Sequence, residues 1–245
     1  MRITKLGHCC LLIEIKGKRI LTDPGSYTVD AHSKLRDLDY ILITHEHEDH
    51  YHVASIKALI KENPNVKIYS NISVGTLMDA EGIAHTVMSH GEHTHLGGLG
   101  GSAGSDSDIA SETDADGYVA DETDVEMHKK EDSILLEGIG ERHALMHGSI
   151  PQGQNMGFFI ENKLWYPGDA YTNPQREVEI CALPVSGPWV KIGDAIDYAL
   201  MIKPKICFPV HDGLRWGTSH RLPGIILPQN GIEFVPMVEG DVREF

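Results

Sequence analysis

The feature that most constrains this chain is a polar turn that directly follows a short apolar strand. The apolar strand is predicted at Tyr40–Ile43, where the residues are aromatic or aliphatic. The seven residues after it, Thr44–His50, supply three histidines and an aspartate with the spacing H-x-H-x-D-H. Packing does not explain so many titratable groups in one turn, whereas metal ions use nitrogen and oxygen ligands of this kind.

The spacing within this turn favours two metal ions over one. Side chains alternate in direction along an extended segment, so His45 and His47 point the same way. Asp49 and His50 follow the bend, just before a pattern that predicts a helix ending near Asn63, and they can aim at a second point. We therefore expect a binuclear metal site at the end of this strand.

The motif His45-x-His47-x-Asp49-His50 resembles the signature of the metallo-β-lactamase superfamily. Further stretches similar to motifs of that superfamily follow in order along most of the chain: Gly7–Glu14 with Arg19–Gly25, Ala144–Ser149, Tyr166–Asp169 and Pro209–Asp212. Within the superfamily, the run Met201–Lys205 resembles the small branch of ascorbate-6-phosphate-lactonase-like and uncharacterised metal-dependent hydrolases.

The resemblance implies an α/β fold, a four-layer αβ/βα sandwich with the metal site at one edge. It also implies seven metal ligands, three for each ion and one bridging carboxylate: His45, His47 and His147; Asp49, His50 and His211; and Asp169. His143 is the rival of His147, because both share one face of a strand predicted at Arg142–His147.

The implied ligand set is rich in nitrogen and lacks thiolate, which suits two zinc ions, with manganese or iron as alternatives. Two cations that share a water molecule lower its pKa and make hydroxide available near neutral pH. The resemblance thus implies a metal-dependent hydrolase in which a hydroxide bridges two metal ions and Asp49 relays the proton to the leaving group. His47 stands where diiron relatives have a carboxylate, which disfavours electron transfer.

The substrate is less constrained than the chemistry. We expect a small anionic ester or lactone, for which Lys191, Arg215 and His220 are candidates to hold a phosphate or carboxylate, although surface roles explain them equally well. Two other functions stay open. One is a phosphodiesterase or nuclease of the same superfamily, and the other is a non-catalytic metal-binding scaffold whose acidic insertion binds a partner.

Several other polar residues have competing interpretations. Asp23 is either a group that orients a metal-bound histidine or the cap of a turn. His8 is expected in the core or at a sheet edge rather than at the site. The four histidines between His85 and His95 have irregular spacing and glycine neighbours, which favours a solvated loop.

An acidic insertion at about residues 97–132 interrupts the pattern of the body. After a glycine-rich start it holds eleven acidic residues and two lysines but few large apolar ones, so we expect it to be flexible. Part of it, Glu112–Val119, is similar to a calcium loop, but Thr123 occupies the position that requires a glutamate, which disfavours calcium binding.

Length and composition limit the remaining possibilities. The 245 residues are expected to form one domain, 1–245, and the net charge of −15 disfavours nucleic acid as a partner. No signal peptide is evident and no apolar run approaches the ~20 residues that span a bilayer, so we expect a cytoplasmic protein with a small-molecule substrate. The four cysteines are expected to be reduced core thiols, and the oligomeric state is left open.

Overall fold

The computed structural model describes residues 1–97, 133–213 and 219–245. Apart from Gly97, the predicted acidic insertion and its partial calcium loop lie outside these ranges, and so does Arg215. None of the helices within the three ranges has both the length and the hydropathy that crossing a membrane requires.

The described strands form two seven-stranded mixed sheets. The first sheet contains β1 (Arg2–Gly7), β2 (Cys10–Ile15), β3 (Lys18–Thr22), β4 (Tyr40–Ile43), β5 (Lys67–Ser70), β6 (Thr86–Val87) and β14 (Val242–Glu244), which pairs with β1 at the edge. The second contains β7 (His93–Leu96), β8 (Ile134–Ile139), β9 (Gly157–Ile160), β10 (Leu164–Tyr166), β11 (Ile180–Pro184), β12 (Ile206–Val210) and β13 (Glu233–Phe234), side by side in chain order. Strands β3 to β6 are parallel to one another, and so are β10 to β13.

Helices cover the outer face of each sheet. The described α-helices are α1 (Val29–His32), α2 (Val53–Glu62), α3 (Ile72–Ala80), α4 (Ile192–Ile202) and α5 (Arg221–Gln229), and a 3-10 helix, Ser26–Thr28, precedes α1. Side chains of α2 and α3 share a hydrophobic cluster with the first sheet, those of α4 and α5 share another with the second sheet, and a third cluster lies between the sheets. The layers are therefore helix, sheet, sheet and helix, and the predicted four-layer αβ/βα sandwich is confirmed.

Strand β4 shows how the sequence produces this layering. Ile41 and Ile43 pack in the outer cluster with Ile56 of α2, whereas Leu42 packs in the inner cluster with Phe158 of the other sheet. Both faces of the strand are covered, which is why its sequence is continuously apolar instead of alternating.

The structure differs from the sequence prediction in three elements. The segment Arg142–His147, predicted as a strand, is irregular in the structure, because β8 ends at Ile139 and Gly140 turns the chain with a φ of 105°. His93 and His95 lie in β7, not in a loop. Helix α5 was not predicted, because it contains two prolines, which lack the N–H group of a helical hydrogen bond and usually indicate that a segment is not helical.

Candidate metal centre

The candidate site lies where parallel strands from both sheets end. The turn Thr44–His50 follows β4, Asp169 comes three residues after β10, and His211 follows β12 directly. Because the carboxyl ends of parallel strands lie at the same edge of a sheet, these side chains meet at one edge of the sandwich.

Within the described residues, two groups of side chains have ligand atoms within 4.8 Å of one another. They are His45, His47, His143 and Asp169, and His8, Cys9, His50 and His211. In the first group, Nε2 of His45 lies 3.0 Å from Nδ1 of His47, and Nε2 of His143 lies 3.4 Å from Oδ2 of Asp169. In the second, the rings of His50 and His211 stack with centroids 5.4 Å apart.

Two carboxylates extend these groups into one cluster. Oδ1 of Asp169 lies 3.2 Å from Nε2 of His50, and its Oδ2 lies 2.9 Å from Nε2 of His211. Asp169 therefore contacts both groups at once. Oδ2 of Asp49 lies 3.5 Å from Nε2 of His211 and 3.8 Å from Nε2 of His50, so Asp49 adjoins the second group.

His143, and not His147, joins the first group, so the structure brings in the rival of the predicted residue. The backbone N–H groups of His143 and Ala144 donate to the carbonyl oxygens of Gly153 and Asp169, at 3.0 and 2.8 Å, which anchors this part of the segment beside the site. His147 lies beyond this anchor in an exposed turn, where its Nδ1 pairs with the hydroxyl of Ser149 at 2.7 Å. Without the predicted regular strand, the spacing of two residues does not keep both rings on one face.

The buried Asp23 carboxylate determines which nitrogen of His45 and His50 faces the site. It accepts hydrogen bonds from Nδ1 of His50, the Thr44 hydroxyl and the Tyr166 hydroxyl, at 2.8, 2.8 and 2.6 Å. The Thr44 hydroxyl donates its only proton to Asp23, so toward His45 it is an acceptor, and Nδ1–H of His45 donates to it at 3.0 Å. When these rings are neutral, as metal ligands must be, each carries its proton on Nδ1 and aims an unprotonated Nε2 into the cluster.

His143 has the same arrangement through a backbone partner. Its Nδ1–H donates to the carbonyl oxygen of Ala144 at 2.6 Å, which leaves Nε2 unprotonated and aimed at Asp169. Three histidines from two separate segments therefore present the same kind of lone pair to one small region.

The residues fit a pair of divalent ions. Several buried polar atoms of the cluster have no hydrogen-bond partner among the described residues: Nε2 of His50, Nε2 of His143, Oδ1 of Asp169 and both ring nitrogens of His211. Leaving such an atom unpaired costs roughly 1–3 kcal/mol, so their concentration here indicates an absent partner. The 3.0 Å between the His45 and His47 nitrogens also suits two ligands that each lie ~2.0–2.1 Å from one ion.

The electrostatics of the cluster favour ionised carboxylates. Burial opposes ionisation of Asp169, but the imidazoles of His50 and His211 outweigh it and hold the pKa of Asp169 well below its usual range. The indole Nε1–H of Trp189 also donates to Oδ2 of Asp169, at 3.0 Å. Asp169 is therefore an anion that faces histidine rings on two sides.

Cys9 is better interpreted as a core thiol than as a ligand. Burial raises the pKa of the Cys9 thiol to about 12, and Cys9 also packs in the cluster between the sheets. All four cysteines are buried and free, which agrees with the expectation of reduced core thiols.

A cavity of about 470 Å³ opens over the cluster. Its walls include the aromatic rings of Tyr27 and Trp189 and the side chains of Met146 and Pro188, beside His47, Asp49 and His211. No lysine or arginine is among its lining residues within the described part of the chain. Lys191 is exposed at the start of α4 and His220 is bonded to Asp212, so neither supports the predicted binding of a phosphate or carboxylate.

The comparisons with known proteins agree with this fold. A model of the beta-lactamase superfamily domain matches residues 2–211. Protein Rv0786c of Mycobacterium tuberculosis is 27% identical over 219 residues, which cover 87% of this chain and 85% of that protein. A UPF0173 metal-dependent hydrolase of Flavobacterium johnsoniae is 36% identical over 96 residues, covering 37% and 41% of the two chains.

Among solved structures, the fold is similar to that of Igni18, a metallo hydrolase from Ignicoccus hospitalis. The TM-score is 0.69 at 17% identity, with 100% of this chain and 98% of the other covered. The chain therefore belongs to the beta-lactamase superfamily domain family, and the expected membership in the metallo-β-lactamase superfamily is confirmed. The finer likeness to ascorbate-6-phosphate lactonases stays a prediction.

Proposed function

We propose that the chain, a metal-dependent hydrolase of the metallo-β-lactamase superfamily, uses two divalent metal ions held at this edge of the sandwich. The proposed ligands are His45, His47 and His143 for the first ion, Asp49, His50 and His211 for the second, and Asp169 for both. The position of Asp169, within 3.4 Å of histidine nitrogens from both groups, is the observation that supports this assignment most strongly. Zinc suits the three-histidine group, and manganese or iron are the alternatives.

With the proposed ligands holding two divalent ions, the site would have a hydroxide nucleophile available near neutral pH and positive charge to stabilise the oxyanion. The protein orients His45 and His50 through Asp23 and buries both of these rings together with those of His143 and His211. Asp49 is the more accessible of the two carboxylates, with 21% of its side chain exposed against 2% for Asp169. We assign to Asp49 the transfer of a proton from the nucleophile to the leaving group.

The proposed substrate is a small ester or lactone. A cavity of about 470 Å³ accommodates a small molecule, and the walls formed by Tyr27, Met146 and Trp189 suit an apolar or planar portion of it. For an anionic substituent, the described lining residues offer no cationic side chain, so the metal ions themselves are its partners in this proposal.

The experiment compares hydrolysis by zinc-loaded protein on matched neutral and anionic esters, lactones, thioesters and phosphodiesters. His143→Ala is expected to lower kcat/KM at least about 100-fold and to reduce the bound zinc. Loss of a residue that only hydrogen-bonds to a metal ligand typically lowers activity or metal affinity about 10–100-fold, and loss of a direct ligand should cost more. The matched control His147→Ala changes a nearby exposed histidine outside the cluster and should stay within about twofold of the wild type.

Two results would count against this function. Full zinc content and turnover in the His143→Ala variant would contradict the ligand assignment. Turnover confined to phosphodiesters, with binding that weakens steeply as salt rises, would favour the phosphodiesterase or nuclease instead.

A further inference from the structure

His8 occupies a strained position in the turn that joins β1 to β2. Its φ is 47°, in the left-handed region that glycine and asparagine adopt most readily, and the preceding Gly7 has a φ of 133°. Turns of two residues between strands normally use glycine, asparagine or aspartate for this reason. A histidine kept there suggests that its ring has a role that outweighs the backbone preference.

The ring and the backbone of His8 contact both sides of the second metal group. The carbonyl oxygen of His8 accepts a hydrogen bond from the N–H of His211 at 3.1 Å, and its Nδ1 accepts another from the N–H of Gly213 at 3.2 Å. On the other side of the ring, Nε2 lies 3.0 Å from Oδ2 of Asp49. The residue is only 3% exposed, so solvent does not compete for these contacts.

These contacts determine where the proton of the His8 ring lies. Since Nδ1 accepts from a backbone N–H, it carries no proton, and the ring of a neutral histidine then carries its proton on Nε2. Nε2–H therefore donates to the Asp49 carboxylate. A nitrogen that carries a proton has no lone pair for a metal ion, so His8 is not a ligand although it lies close to His50 and His211.

We propose that His8 is a positioning residue. It holds the Asp49 carboxylate and the backbone at His211 at the separation that binding of the second metal ion requires. Asp49 follows a strand of the first sheet and His211 a strand of the second, so His8 links ligands carried by the two halves of the sandwich. The inference rests on the binuclear centre proposed above, and it adds a residue outside the proposed ligand set.

Two conservative substitutions separate the contacts of the His8 ring. His8→Asn places an amide oxygen near the position of Nδ1, so it keeps the acceptor for Gly213 and suits the left-handed backbone, but it does not reach Asp49. His8→Gln is longer and places an amide N–H near the position of Nε2, so it keeps a donor to Asp49. His147→Asn is the matched control for loss of a histidine elsewhere.

The readout is metal binding without substrate, measured by titrating metal-free protein with Zn²⁺ or Co²⁺ against a competing chelator. The step that is lost in His211→Ala identifies the second site. We expect His8→Asn to weaken that step by roughly 10–100-fold, with the first step and the melting temperature near the wild-type values. His8→Gln should recover most of the lost affinity.

The possible failures are distinguishable. If the wild type binds two ions and His8→Asn binds the second with wild-type affinity, the inference about His8 is wrong while the binuclear proposal stands. Loss that His8→Gln does not recover also overturns it, because the donor to Asp49 would then not be the function of the ring. A wild type that binds one ion overturns the binuclear proposal and this inference together.

Discussion

Gly25 packs directly against the backbone of Asp49 and His50, two of the proposed ligands. A Cβ atom at this position would lie 1.9 Å from the carbonyl oxygen of Asp49 and 2.5 Å from the backbone nitrogen of His50. The next residue, Ser26, donates its backbone N–H to the carbonyl oxygen of Glu48 at 2.8 Å. Even the smallest side chain at Gly25 would therefore displace the turn.

We predict that Gly25→Ala weakens binding of the second metal ion by at least about tenfold, because Asp49 and His50 shift when their backbone is displaced. Gly193→Ala is the control, since a Cβ atom at Gly193 meets nothing within 4 Å. Metal titration of the two variants measures the effect. Equal affinity in Gly25→Ala and the wild type would show that the turn tolerates the displacement.

Lys5 and Asp212 form a buried ion pair behind the site. Nζ of Lys5 lies 2.6 Å from Oδ2 of Asp212 and also donates to the carbonyl oxygen of Pro209 at 2.8 Å, with the two side chains 1% and 2% exposed. His220 is the other partner of Oδ2, at 2.6 Å. The pair therefore fixes the residue that follows His211.

Lys5→Met is predicted to lower the free energy of unfolding by about 3–5 kcal/mol, because it leaves the Asp212 carboxylate buried with one partner fewer. The control is Lys18→Met, which breaks a pair with Asp39 that is 35% and 29% exposed and should cost less than about 1 kcal/mol. Urea denaturation compares the two. Similar small losses in both variants would mean that the buried pair adds no more than a surface pair.

At the residue scale, the sequence indicated which types of side chain gather at the site, but not that His143, instead of His147, would lie in the first group. The turn from His45 to His50 was predictable because neighbouring residues stay close in any fold. The choice of His143 over His147 depends on backbone hydrogen bonds to Gly153 and Asp169, which no local pattern encodes. The approach of His8 to Asp49 likewise depends on two distant segments. The one available sequence signal for this contact was a histidine, His8, directly after Gly7 at a predicted hairpin turn, where glycine, asparagine or aspartate is usual.

Among the elements, the β7–β8 hairpin determines where the acidic insertion leaves the body. Leu96 pairs with Ile134, so the ends of the segment 97–133 lie on adjacent strands. The site is near the other end of β8, because Ile139 is followed after four residues by His143. Five residue steps along a strand, at ~3.4 Å each, separate Ile134 from Ile139 by roughly 17 Å.

We predict that replacing residues 98–132 with a short glycine-rich turn leaves zinc content and hydrolysis within about twofold of the wild type. The reason is that the replacement closes a hairpin whose strands are already paired at that end. Loss of metal or turnover would contradict this. Loss of binding to a partner protein alone would favour the scaffold function for the insertion.

Elements with a clear pattern of apolar residues were predicted closely, and those without such a pattern were not. Strand β4 has the predicted bounds, and helix α2 ends one residue before the predicted Asn63, because a buried apolar strand and an amphipathic helix have distinct patterns. Strand β7 was missed because three of its four residues are polar and its histidines are exposed. Its strand conformation comes from pairing with β8, a tertiary contact.

For the whole molecule, the sandwich was predictable from the resemblance and not from periodicity. Local patterns indicate strands and helices in alternation, but they do not determine that β14 pairs with β1 or that two sheets pack face to face. The cluster between the sheets combines side chains such as Leu42 and Phe158 from both halves. We propose on this basis that residues 1–245 form one domain.

The central claim is that this shared edge holds two metal ions. The most direct measurement is an anomalous-difference map, recorded at the zinc absorption edge, from a crystal of the zinc-loaded protein. We predict two peaks, one within ~2.0–2.2 Å of nitrogens of His45, His47 and His143 and one beside Asp49, His50 and His211, with Asp169 reaching both. A single peak, or a peak bound by His147 in place of His143, would contradict the account.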